Sequence, residues 1–412
     1  MTKLNELIQQ FCPDGVEYKT LGSFATISRG GNFQKKDFRD DGFPCIHYGQ
    51  IYTKYGLFVD KTVSFISPAC ASKQKTASKN DIIMAVTSEN IEDVCKCIVW
   101  LGDGEVAVSG HSAIIRHSQN PKYLAYYFHS RMFFDQKRKL AHGTKVIEVT
   151  PDKLASVKIP LPPIEVQREI VRILDNFTEL TAELTAELTA ELTARKKQYE
   201  YYRDKLLAYN YDVELFTISD IAETSIGLAT SVSQHKRENG VILLHNSDIQ
   251  QNKIVLKTVE YISKEFAQKN KKKVLRKGDI ITVHTGDVGT SAVIDDEYDG
   301  AIGFTTITTR IKDTARVNPY FLCHYLNSHK CKQDIASMTI SDRSNLNQKS
   351  FNTIQIPVPP LEIQNRIVNV LENFDAICSD LKIGLPAEIA ARQKQYEFYR
   401  DKLLTFKEQK SK

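Results

Sequence analysis

The sequence predicts an α+β protein: two mixed helix–strand domains, separated by two long helices that form an antiparallel coiled coil, with an internal pseudo-twofold repeat. Three observations carry this. Residues 159–180 and 356–377 are identical at 11 of 22 positions, at an offset of 197. Residues 194–207 and 391–404 are identical at 12 of 14, at the same offset. Both pairs have strongly helical composition, whereas the blocks between them mix short β-branched runs with Gly, Asn, Asp and Ser.

In chain order, the first block covers 1–158. Val16-Glu17 and Thr20 match Val213-Glu214 and Thr217 of the second block, again 197 apart. The runs DIIMAV (81–86), KCIVWL (96–101), DIITVH (279–284) and SAVID (291–295) read as strands. PKYLAYYFHSRMFFDQKRKL (121–140) and PYFLCHYLNSHKCKQDIASM (319–338) each follow an Asn and open on Pro, and read as helices with Pro in the first turn.

A shared region follows at 159–208, a second divergent block at 209–355, and the second shared region at 356–412. Each shared region opens on a Pro-rich corner, Pro160-Leu-Pro-Pro163 or Pro357-Val-Pro-Pro360, before a long helix. In the first helix three copies of Thr-Ala-Glu-Leu span 181–192. Ala, Glu and Leu are strong helix formers, so 164–207 is predicted to be one rod of about 65 Å. Leu180, Leu184, Leu188 and Leu192 form its apolar stripe, which winds by about 40° per repeat because four residues exceed one turn. The partner seam is Ile367, Leu371, Phe374, Cys378, Leu381 and Leu385, in coiled-coil spacing. Gly384 and Pro386 predict a kink or restart.

Eight cysteines occur without any CxxC or His/Cys cluster, so neither a zinc site nor a disulfide framework is expected, and reduced core cysteines are. No metal ligands are assigned. The N-terminus lacks a signal-peptide pattern and no apolar run is long enough to span a membrane, which gives an expectation of a soluble, cytoplasmic protein with no membrane partner.

Several strings resemble catalytic motifs and fall short of them. Asn318-Pro319-Tyr320 lacks the second Pro of an amino-methyltransferase signature. Pro151-Asp152 with Lys158 lacks the second acid of a nuclease, and neither a phosphate loop nor GxSxG is present. His47 and His245 occupy equivalent positions and read as polar strand-end residues. With no reaction centre to assemble, no catalytic residue is assigned and the chain is expected to be non-catalytic by itself.

Binding remains. The net charge is +5 and the pI about 8.6. Cations cluster in both divergent blocks: Lys35, Lys36 and Arg39; Lys137, Arg138 and Lys139; Lys236 and Arg237; and Lys269 to Lys277, which holds six cations in nine residues, including Lys271, Lys272 and Lys273. Any one cluster is equally well a solvated face. Their recurrence points to double-stranded DNA, with cations on phosphates and neighbouring polar side chains on base edges. The candidate readers are Asn32, Gln34, His47, Tyr48, Gln50 and Thr144, then Ser233, Gln234, His245, Asn246, Ser341, Asp342, Arg343 and Ser344.

The duplicated IPxPPxExQ–IVxxLxNF and ARxKQYExYRDKLL segments and the TAEL tract resemble the specificity subunit of type I restriction-modification systems. The TAEL repeats and Phe11-Cys-Pro-Asp-Gly-Val-Glu-Tyr18 look like its IC-type members. The resemblance implies two target recognition domains, each reading one half of a split, asymmetric DNA site. It also implies helices that space them and dock two modification (methyltransferase) subunits and the restriction/translocase subunits. This chain would hold no cofactor; S-adenosylmethionine, ATP and Mg2+ would belong to the partners. The TAEL tract would act as a ruler for the unread gap. Near-identity of the helix ends suggests that Tyr199, Tyr202, Arg203, Tyr396, Tyr399 and Arg400 contact two identical modification subunits; the alternative is that they pack the rod against the domains. Two rival readings are a self-contained DNA methyltransferase or nuclease with a degenerate centre, and a coiled-coil scaffold that does not bind DNA.

Overall fold

The computed structural model describes residues 2–208, 213–338, 345–379 and 384–409. The chain forms two compact units, one of Met1–Glu187 with Ile389–Lys412 and the other of Leu188–Glu388.

In the first unit, Tyr18–Thr20 pairs antiparallel with Lys158–Pro160, so the divergent block is closed at its two ends. A five-stranded sheet runs in the order Ala25–Arg29, Ser112–His117, Ile82–Ala85, Cys97–Trp100, Phe58–Val59. Ile82–Ala85 and Cys97–Trp100, two of the predicted strands, are buried at every residue, which is why both read as unbroken apolar runs. A second sheet has the order Phe65–Ile66, Phe43–Ile46, Val106–Val108, Thr76–Ala77, and its two central strands are parallel.

The second unit repeats the plan. Leu215–Thr217 pairs antiparallel with Gln355–Pro357. One sheet runs Ala222–Ile226, Thr306–Ile311, Ile280–Val283, Ser291–Val293. The other runs Lys236–Arg237, Tyr261–Ile262, Val241–His245, Ile302–Phe304, with the same parallel pairing between its last two strands.

Each stretch predicted as one helix is two. Pro121–Phe128 is followed by Arg131–Leu140, and Pro319–Leu326 by His329–Met338. The breaks fall at Ser130 and Ser328, whose hydroxyls accept from the amides of Phe133 and Cys331 and start a new helix. Asn120 and Asn318 cap the first helix of each pair, with Pro at its first position as expected.

The shared Pro corners are locked by a glutamine. Gln167 accepts from the Asn120 amide at 3.1 Å and donates to the Pro162 carbonyl at 2.8 Å. Gln364, 197 residues on, does the same with Asn318 at 2.8 Å and Pro359 at 2.7 Å. Both side chains are buried, so an unmet amide there would be costly.

Ile164–Leu207 is one continuous helix of 44 residues that enters both units. The distal shared region is interrupted as predicted, with Leu361–Ser379 followed by a restart at Leu385–Leu404 beside Gly384 and Pro386. In the first unit Phe177 meets Tyr399 ring to ring and Thr178 meets the Tyr396 hydroxyl. Leu184 shares a groove with Arg392, so residue numbers rise on one helix as they fall on the other. In the second unit Phe374 contacts Tyr199 and Tyr202, while Cys378 lies near Arg195 and Lys196. Both pairs are antiparallel.

The predicted seam needs one correction. Leu188 is buried, and Leu184 and Leu192 are partly so, but Leu180 is 61% exposed. A strict four-residue repeat advances about 400° per step, so its leucines leave the contact line. Phe177, Thr181, Leu184 and Leu188, spaced 4-3-4, follow that line more closely. On the partner side Ile367, Leu371 and Cys378 are buried and Phe374 partly so; Leu381 lies outside the described residues.

The first unit also joins both ends of the chain. Val16 donates to the Lys407 carbonyl at 2.8 Å and accepts from the Gln409 amide at 3.0 Å. Gly15, with φ of +112°, permits this approach, since a Cβ there would sit 2.6 Å from the Lys407 oxygen.

Among the described residues all eight cysteines are free, and all but Cys70 are buried. Among them too, no helix is long and apolar enough to cross a membrane, and no group of acidic, His and Cys side chains is arranged to hold a metal.

Candidate nucleic-acid interface

The parallel strand pair of the first unit ends at a cleft of about 730 Å³. It is lined by Arg29 to Gln34, His47, Tyr48, Ser109 to His111 and Glu148. Gly30 and Gly31 let two loops meet: a Cβ on Gly30 would run into the Val108 and Ser109 carbonyls, and Gly31 bridges to Ser109. The predicted readers Asn32, Gln34, His47 and Tyr48 therefore converge. Sequence reading missed Arg29, Ser109, His111 and Glu148; the glycines flanking Arg29 and His111 were the available signal.

Within the cleft, the His47 ring packs tilted against Tyr48 at 4.5 Å between ring centres, and Tyr48 likewise against His111 at 4.9 Å. Burial, then Lys35 and His111 nearby, lower the His47 pKa and favour the neutral ring. Its Nδ1 accepts from the Gly49 amide, which leaves Nε2 as the donor. Arg29 and Glu148 form an ion pair between strand ends. Glu148 also closes the loop carrying Thr144 through two backbone hydrogen bonds with His142.

Two first-unit candidates serve the fold instead. Gln50 accepts from the His47 amide at 2.9 Å, as part of a helix cap, and donates to Ser64 at 2.6 Å, so both ends of its amide are engaged within the fold. Lys137 is buried, with its ammonium donating to the Glu92 and Val94 carbonyls at 2.8 and 2.6 Å. The charge pattern concealed this, because Phe133 and Lys137 share the buried face of their helix, four residues apart. Lys35, Lys36, Arg39, Arg138, Lys139 and Thr144 are exposed.

In the second unit, Ser233, Gln234, Lys236 and Arg237 lie exposed on one turn and the strand that follows it. Glu260 pairs with Lys236 at 2.6 Å and with His245 at 3.0 Å, and these partners hold its carboxyl below the usual range. Asn246 follows His245 at the strand end and donates to the Thr285 carbonyl and the Thr305 hydroxyl, while its Oδ1 is buried with no partner among the described residues. Lys271 and Lys272 are exposed. Lys273 is tied to the Gly227 carbonyl at 2.8 Å, which draws it away from a phosphate role. Ser341, Asp342, Arg343 and Ser344 lie outside the described residues.

The family model described as "Type I restriction modification DNA specificity domain" matches twice, at residues 13–194 and 210–391. This chain belongs to that family. A Haemophilus influenzae chain assigned as a type I restriction enzyme specificity subunit is 32% identical over 318 residues, covering 74% of this chain and 77% of that one. The EcoR124I/EcoR124II specificity subunit of Escherichia coli is 34% identical over 267 residues, 60% of this chain and 63% of the other. A chain from a structure of the type I R-M system superposes with a TM-score of 0.70 at 19% identity, covering 95% and 98% of the two chains. The HsdS subunit of Thermoanaerobacter tengcongensis gives 0.56 at 18% identity, covering 96% and 97%, so the fold is shared.

In each unit the shared segment that ends in YRDKLL, 194–207 or 391–404, packs into its own unit. Tyr199 is buried, its hydroxyl between His324 at 3.3 Å and the Asn252 amide at 2.9 Å. Arg203 is buried and paired with Asp204 at 2.9 Å; Arg400 pairs with Asp401 at the same distance. Tyr202 and Tyr399 remain about two-fifths exposed, beside the more exposed Tyr201 and Phe398. Tyr396 is partly buried against Thr178.

Proposed function

We propose that this chain is the DNA specificity subunit of an IC-type, TAEL-repeat type I restriction-modification complex. It reads a split asymmetric site in double-stranded DNA, one half with each target recognition domain, and catalyses nothing itself. Two modification subunits bring S-adenosylmethionine, and restriction subunits bring ATP and Mg2+. The exposed aromatics Tyr202 and Tyr399 are the best placed of the docking candidates for the modification subunits. Each added TAEL lengthens the central helix by about 6 Å and changes the gap between half-sites.

The observation that carries this reading is one plan built twice with different chemistry at the same place. Each unit ends a parallel strand pair at a histidine, yet the first surrounds it with Arg29, Asn32 and Glu148 and the second with Lys236, Asn246 and Glu260. One scaffold with two unlike polar surfaces suits two unlike half-sites.

The test is DNA binding by the complex of this chain with its modification subunits across a range of salt concentrations. A steep fall of log affinity with log salt, with a slope of about −0.9 per phosphate contacted, is expected. A flat response would overturn the DNA reading and favour the scaffold.

A further inference from the structure

Glu148 is an odd residue for a surface that meets DNA. Phosphates repel a carboxylate, and desolvating it without a donor costs more than most surface contacts return. A carboxylate is at home there where it accepts from a base amine. In the major groove the donors are cytosine N4 and adenine N6, and Glu is the side chain suited to cytosine.

Its partner narrows the choice. Arg29 pairs with Glu148 across the cleft, and guanidinium is the side chain suited to the O6 and N7 acceptors of guanine. One G·C pair presents those acceptors and the cytosine amine side by side on its major-groove edge. Both residues stand on anchored backbone: Arg29 is in register with Ala113 at the end of its strand, and Glu148 is bonded to His142. Both remain reachable, with 46% and 27% of their side chains exposed. In the free protein each neutralises the other, so neither is left as an unpaired charge.

We propose that Arg29 and Glu148 together read one G·C base pair in the half-site of the first recognition domain, Arg29 taking guanine and Glu148 taking cytosine. Asn32 and Gln34, in the same cleft, face the adjoining positions. This rests on the DNA-specificity reading above and adds a base and two residues to it.

The test maps methylated sites made by the full complex carrying the wild-type chain, Glu148→Gln or Arg29→Lys. These conservative variants preserve the bulk of the cleft, and the half-site of the second domain serves as an internal control for folding. The expected result is one G·C position that becomes degenerate, with discrimination falling about tenfold to hundredfold, while the other half-site is unchanged. An unchanged motif in both variants would overturn the assignment. So would relaxation at an A·T position, or loss of all methylation with either variant. Absence of any motif with the wild-type chain would instead strike the specificity reading itself.

Discussion

Asp204 accepts a hydrogen bond from the backbone amide of His329 at 3.0 Å, at the first residue of the helix His329–Met338. Asp401, 197 residues later, does the same for the amide of Arg131 at 3.3 Å. The shared arginine, Arg203 or Arg400, sits beside each carboxylate. A carboxylate at a helix start meets both an unpaired amide and the positive end of the helix dipole. The repeated segment therefore clamps a divergent domain in each unit, which by itself gives a reason for the near-identity of the two copies.

Asp204→Ala removes that bond and leaves the buried Arg203 without its partner. A loss of about 1–3 kcal/mol from the second unit is expected, seen in chemical unfolding and as faster hydrogen exchange in 329–338. Asp401→Ala should act on 131–140 and leave 329–338 protected.

Gln167→Ala and Gln364→Ala each strand a partly buried amide and a buried carbonyl at the Pro corner. Each should cost about 1–3 kcal/mol, confined to its own unit and measurable by denaturant titration. Equal stability of variant and wild type would mean that water replaces the glutamine.

His324 is buried, and burial, with Arg203 adding to it, lowers its pKa to about 4. The Asn252 amide donates to the Tyr199 hydroxyl, which lies 3.3 Å from His324 Nδ1 and can donate to that nitrogen only when it carries no proton, the state that burial of a neutral ring allows. The unfolded chain, with a pKa near 6.5, binds the proton more readily. Stability of the second unit is therefore fully present above about pH 6.5 and is lost as pH falls toward 4, at up to about 1.4 kcal/mol per pH unit. Unfolding of wild type and His324→Gln at pH 7 and pH 5 checks this, since the variant should lose the His324 share of the slope.

Lys137 and Lys35 look alike in sequence and should behave differently. Lys35→Ala, Lys36→Ala and Arg39→Ala should each reduce the salt slope of DNA binding by about one. Lys137→Met should leave that slope unchanged and lower stability instead, because two buried carbonyls lose their donor.

The large-scale plan was legible because it was written twice. Repetition exposed the Pro corners, the long helix and the restart at Gly384, and the Asn-Pro pairs marked helix starts that the structure confirms in detail. Side-chain roles were less legible, for a physical reason. A basic run does not reveal which of its members faces inward, so Lys137 passed for a phosphate contact. Gln50 has the chemistry of a base reader, but a helix start three residues away takes its amide oxygen and Ser64 takes its amide nitrogen. Arg29 and Glu148 lie 119 residues apart on different sheets, and only the folded chain brings them together. Leu180 shows the same limit in one dimension, since a four-residue repeat marks a helix without saying where its contact line runs.

The most direct test of the account is to map methylated adenines in cells that carry this chain with its modification subunit, then repeat it with one TAEL inserted or deleted. The expected result is a split, asymmetric motif whose two half-sites stay the same while only the gap between them changes. A complex that forms around a competent modification subunit yet yields no motif would contradict it, as would a gap that ignores the length of the helix.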